Sequence, residues 1–87
     1  MPLIKKLVLD VLKPHDPDVI EFSRNIASKG SDYRVILNVV EMDEKTETLE
    51  LIVQGADVNI ELIVEAINEM GGSLHSIDCV EVANNKD

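Results

Sequence analysis

The apolar residues of this chain change period along its length, alternating every second residue in some segments and recurring every three to four in others. That switching leaves few folds open. From Leu3 to Leu12, Leu7, Leu9 and Val11 alternate with Val8, Asp10 and Leu12, which reads as a strand ended by Lys13-Pro14-His15. Asp16 then offers a capping oxygen and Pro17 suits a first helical position, so a helix is expected there. Its inner stripe would be Val19, Ile20, Phe22, Ser23, Ile26 and Ala27, with Gly30 closing it in the left-handed conformation. Two further alternating runs, Tyr33 to Met42 and Thr48 to Gln54, flank the polar turn Asp43 to Glu47 and predict a hairpin with Val35, Leu37, Val39, Leu49, Leu51 and Val53 inward. Asp57 is the expected cap of a second helix, whose Ile60, Ile63, Val64, Ile67 and Met70 face the core until Gly71-Gly72 stops it. A last strand runs from about Leu74 to Val82. Its Ile77, Cys79 and Val80 do not keep to one face, which predicts a β-bulge between Ser76 and Asp78, and residues 83–87 are expected to fray.

The order βαββαβ, with strand-helix-strand occurring twice, predicts an α+β ferredoxin-like sandwich. Its four-stranded antiparallel sheet would have the order 4-1-3-2, with both helices on one face. With 87 residues, 45% of them apolar, the chain can close one core, and a single domain spanning residues 1–87 is expected. No apolar run approaches the roughly 18 to 20 residues that span a bilayer. The opening Met1-Pro2-Leu3-Ile4-Lys5-Lys6 leads into a strand pattern containing Asp10 and lacks the apolar core of a signal peptide, so a cytoplasmic protein starting here is expected.

In this architecture one sheet face carries no helix. The alternation puts Val8, Leu12, Ile36, Val40, Met42 and Ile52 on it, too apolar a set for a freely solvated sheet of this size. The simplest cover is a second copy of the chain, which predicts a homo-oligomer; an unidentified partner protein, or scattered surface apolars on a monomer, is the alternative.

Seventeen acidic residues against eight basic ones give a net charge of −9, which disfavours nucleic acid and anionic membranes and favours cations and basic partners. The open face also lacks the aromatic residues on which RNA-recognition sheets stack bases, since Phe22 falls on a helix and Tyr33 at the start of an edge strand. The single cysteine, Cys79, permits neither an intrachain disulfide nor a CxxC metal-transfer loop, and reads as a small buried thiol. Asp10 and Asp78, on neighbouring strands of the open face with Glu50 beside them, could hold a hard cation such as Ca²⁺ or Mg²⁺. The competing reading is that each is solvated or pairs with Lys or Arg across an interface. No EF-hand spacing is present. His75-Ser76-Ile77-Asp78 brings an imidazole, a hydroxyl and a carboxylate together in sequence, but strand neighbours point to opposite faces, and no catalytic set is expected. His15 reads as a loop residue, and Gly71-Gly72 as a helix stop rather than a ligand cradle.

Three segments together resemble an archaeal family of small domains known as domain of unknown function 211. They are Ile4 to His15, Glu41-Met42-Asp43, and Met70 to Asp78. The resemblance covers nearly the whole chain and implies a ferredoxin-like domain that assembles into rings, with calcium suggested for some members and no activity established. The aspartates within the matching segments are Asp10, Asp43 and Asp78, which are the expected metal ligands. The leading expectation is a non-enzymatic oligomeric scaffold or interaction module that binds divalent cations. The alternatives are a ligand-sensing regulatory domain resembling the amino-acid-binding ACT type and a small enzyme. The last is disfavoured because no nucleophile, base and orienting group converge.

Overall fold

The computed structural model describes residues 1–84 and contains β1 (Leu3–Pro14), α1 (Val19–Ala27), β2 (Arg34–Met42), β3 (Thr46–Gln54), α2 (Ile60–Glu69) and β4 (Ser73–Ala83). The strands form one antiparallel sheet in the order β2-β3-β1-β4, the expected ferredoxin-like topology. Leu7, Leu9 and Val11 of β1 face Leu49, Leu51 and Val53 of β3 by register and point into the helical layer. They are buried with Phe22 and Ile26 of α1 and with Ile63, Ala66 and Ile67 of α2. At roughly 1.5 to 3 kcal/mol for each large side chain removed from water, this cluster is the main source of cohesion.

Both helices start two residues later than the sequence suggests. Asp18, not Asp16, caps α1 by accepting from the Glu21 N–H at 2.9 Å, and the Asp16-Pro17 peptide is cis, outside the helix. Asn59, not Asp57, caps α2 by accepting from the Leu62 N–H at 3.2 Å, while Val58 is buried below it. Ile20 lies about 200° around the helix from buried Phe22 and faces outward, not inward as expected, where it is 60% exposed. Gly30 does not take a left-handed conformation; its missing Cβ makes room for the Tyr33 ring, which a side chain would overlap. Gly71 is the residue in the left-handed region, at φ 85°, and it turns the chain from α2 into β4.

The predicted bulge in β4 is present. Asp78 is skipped between the pairs Val8–Cys79 and Leu9–Ile77, and His75 is skipped between Asp10–Ser76 and Val11–Leu74. A further shift skips Val40 of β2, between Val39 and Glu41. Of the residues 83–87 expected to fray, Ala83 does not, because it pairs with Leu3 as the last residue of β4; residues 85–87 lie outside the described residues. The described chain is elongated, 43 × 22 × 17 Å, because β1 runs along most of the long axis. Helices of nine and ten residues, about 15 Å each, shield the central strands. The helix-side residues of the edge strands are less covered: Val39, Ile77, Val80 and Val82 are about half exposed. No helix among the described residues is long and apolar enough to cross a membrane.

Candidate functional site

The open sheet face is organised around β1, where Asp10 lies opposite Glu50 of β3 on one side and Ser76 of β4 on the other. Asn38 of β2 continues the row beyond Glu50 and donates its Nδ2–H to Glu50 Oε1 at 3.0 Å. The bulge lets Ser76 donate its hydroxyl to Asp78 Oδ1 at 2.7 Å. Asp10, Glu50 and Asp78 thus line one shallow cleft of about 170 Å³ together with Val40 and Thr48. A second depression of about 240 Å³ lies beside it, lined by Asp10, Leu12, Thr48 and His75. No basic side chain lines the first depression, and His75 is the one imidazole in the second. The carboxylates are not drawn together, however: among the described residues no three His, Cys, Asp or Glu side chains are close enough to hold a metal ion by themselves. A hard cation, which takes six to eight oxygens, would find only part of its shell here.

Asp43 sits apart from the other two acidic positions. It belongs to the β2–β3 turn, where its N–H donates to Thr46 O at 2.8 Å. Thr46 pairs with Pro14, four residues along β1 from Asp10, or about 13 Å at the usual strand rise. Of the residues expected on the open apolar face, Val8 and Ile52 pair with one another and are half-buried, while Leu12, Ile36 and Val40 are 41%, 47% and 67% exposed. Met42 departs from the expected face. The skipped Val40 shifts its parity, so Met42 lies opposite Glu47 on the helix side. Cys79 is exposed, not buried, because its place opposite Val8 turns it to the open face.

The sequence reading missed a cluster at the far end of β1. Lys13 and Glu47 are opposite one another, on the same side of the sheet as Val11 and Leu49, and both are buried. Lys13 Nζ donates to Glu47 Oε1 at 3.1 Å and to Pro14 O at 2.7 Å, and lies 5.9 Å from the centroid of the Phe22 ring. The His15 ring, partly exposed, completes the group. Its Nδ1 is 2.8 Å from Glu47 Oε2, and its Nε2 is 3.0 Å from the carbonyl oxygens of both Asp43 and Glu44. Both ring nitrogens face only acceptors, so the imidazolium is the form that satisfies them all. The hydrogen bond to Glu47 raises the His15 pKa above its ordinary 6.5, helped by the two carbonyls and opposed by desolvation. The same bond lowers Glu47 below its ordinary 4.5, against desolvation and with further help from Lys13. The signal was available in the chain. Continuing the alternation of Leu7, Leu9 and Val11 forward, and of Val53, Leu51 and Leu49 backward, reaches Lys13 and Glu47 on the inner face.

Away from the sheet face, a cavity of about 740 Å³ opens between the segment Lys29 to Tyr33 and the start of α2. Tyr33 accepts the Asn59 N–H on its hydroxyl at 2.7 Å, and Asp32 accepts the Ala56 N–H at 2.9 Å, which joins the two walls.

Comparison with known proteins agrees with the resemblance read from the motifs. Residues 5–86 match the family model DUF211, described as uncharacterized ArCR. The chain is also 36% identical over 75 residues to the uncharacterized protein MJ0319 of Methanocaldococcus jannaschii, an alignment that covers 86% of this chain and 77% of that protein. By the extent of the family match and this identity, the chain belongs to the archaeal DUF211 family.

Proposed function

We propose that this protein is a non-catalytic building block that assembles with copies of itself in the cytoplasm through its open sheet face. In this reading the cleft at Asp10, Glu50 and Asp78 takes a hard divalent cation, Ca²⁺ or Mg²⁺, whose remaining ligands come from water or a neighbouring copy. The observation that carries the reading is the apolar exposure of Leu12, Ile36 and Val40 on a face with no helix over it, beside half-buried Val8 and Ile52. The acidic lining of the cleft, with no basic side chain in it, supports the second half, and a cation held there would gain ligands when another copy approaches. Native mass spectrometry of the purified chain with and without chelator tests both halves. The expected result is a discrete oligomer that carries mass matching the cation and loses it, and subunits, on chelation. A monomer in both conditions overturns the proposal.

A second reading, ligand sensing of the ACT type, draws support from the cavity at the start of α2. An amino acid bound there would raise the melting temperature of the protein in proportion to the logarithm of its concentration above Kd. A panel of amino acids that leaves the melting temperature unmoved removes that reading.

A further inference from the structure

β2 is an edge strand with little of the usual protection, since its one register shift, at Val40, lies near its end. It contains no lysine and no proline, and it exposes Ile36, Val39 and Val40 beside its unpaired outer backbone. The opposite edge, β4, is interrupted by repeated register shifts against β1, which make it a poorer template for a further strand. The charges of β2 are placed symmetrically. Arg34 lies opposite Gln54 and Glu41 opposite Thr48, and Gln54 and Thr48 in turn pair with Lys6 and Leu12, so both charged residues belong to the open face. Because Val40 is skipped in the ladder, Leu37 lies three paired positions from Arg34 and three from Glu41. Among the described residues neither Arg34 nor Glu41 makes an ion pair within its own chain.

We propose that two copies of this chain pair antiparallel through β2, on a twofold axis at Leu37, so that Arg34 of each copy meets Glu41 of the other. The register then places Leu37 opposite Leu37, Val35 opposite Val39, and Ile36 opposite Asn38. Directly opposed side chains in an antiparallel pair have Cβ atoms about 4.5 to 5.5 Å apart, close enough for the two ion pairs to form. A twofold axis normal to the sheet keeps the faces in register, so the two open faces become one continuous surface on an eight-stranded sheet. An isologous contact of this kind repeats every interaction twice, and a single reversed charge is therefore felt twice. Without the skipped Val40, Arg34 and Glu41 would be separated by an odd number of steps, and no such axis could bring them together on one face. The pairing rests on the self-assembly reading and assigns one of its contacts.

Sedimentation equilibrium of the full chain at low ionic strength, with Arg34→Glu, Glu41→Arg and the double exchange, tests the register. Each single variant is expected to weaken the contact by about tenfold, equivalent to about 1.4 kcal/mol, because it replaces two attractions with two repulsions. The double exchange restores it. An equimolar mixture of the two single variants also restores it, since one copy then carries acidic side chains at both positions and the other basic ones, so unlike charges meet at both ends of the mixed dimer; this arm also shows that both variants are folded. A wild-type assembly that is indifferent to all these changes overturns the β2 pairing and leaves self-assembly standing. A wild-type chain that sediments as a monomer at every concentration removes self-assembly and the pairing with it.

Discussion

Lys13 is fully buried and its ammonium is satisfied by Glu47 Oε1 and Pro14 O, so replacing it with methionine isolates what that charge does. Methionine keeps the length of the side chain and its packing over Phe22 but leaves Glu47 with His15 as its remaining charged partner. Removing one member of a buried pair typically destabilises by about 3 to 5 kcal/mol. The His15 imidazolium still stabilises the carboxylate, which puts Lys13→Met at the low end, about 3 kcal/mol. A domain of this size loses roughly 4 to 8 °C of Tm for each kcal/mol, so the expected fall is roughly 12 to 24 °C. Replacing both partners, as in Lys13→Met with Glu47→Leu, removes the stranded charge and is expected to recover most of the loss. The assay is thermal and urea unfolding followed by far-ultraviolet circular dichroism, at the same pH and protein concentration for all variants. A Lys13→Met variant within about 1 kcal/mol of wild type, or a double variant no more stable than the single, would refute the view that the pair is coupled and buried.

The same cluster sets a pH dependence. His15 has a folded-state pKa above 6.5 and Glu47 one below 4.5, so both contributions are whole between those values; His15's is lost as pH rises through its folded pKa, and Glu47's as pH falls through its own. The stability difference between wild type and His15→Gln should therefore be largest between pH 4.5 and 6.5 and shrink toward alkaline pH, as read by urea unfolding across that range. A difference that grows above neutral pH contradicts the protonated His15. Gly71→Ala is expected to destabilise by about 1 to 2 kcal/mol from its left-handed backbone alone. The added Cβ would only reach ordinary contact with Pro14, at 3.4 Å, so a loss well beyond that range in thermal unfolding would point to a packing clash instead.

Periodicity was enough to read the sheet and both helices, because Leu7-Leu9-Val11 and Leu49-Leu51-Val53 alternate to supply the sheet's half of the core, while Phe22, Ile26, Ile63 and Ile67 recur at helical spacing to supply the other. Charge misled the reading where it is buried. Lys13 and Glu47 looked like the ends of strands because isolated charges belong in water, and only their mutual pairing reverses that expectation. The helix caps slipped by two residues because Asp16 and Asp57 offer the same chemistry as Asp18 and Asn59; which one caps depends on the path of the loop. Met42 changed face for a reason not written locally, the omission of Val40 from the ladder with β3. On the candidate site, the neighbourhood of Asp10, Glu50 and Asp78 was legible from strand parity, whereas the position of Asp43 depends on the length of the hairpin.

The unequal covering of the sheet also divides the native state energetically. β1 and β3 are gripped between their neighbours and the helices, so exposing their amides to exchange requires disrupting the core itself. β2 and β4 each have one hydrogen-bonded neighbour, and half of the apolar area at Val39, Ile77, Val80 and Val82 already lies in water. Their opening therefore costs less than global unfolding, and an isolated chain carries two strands able to detach while the centre stays folded.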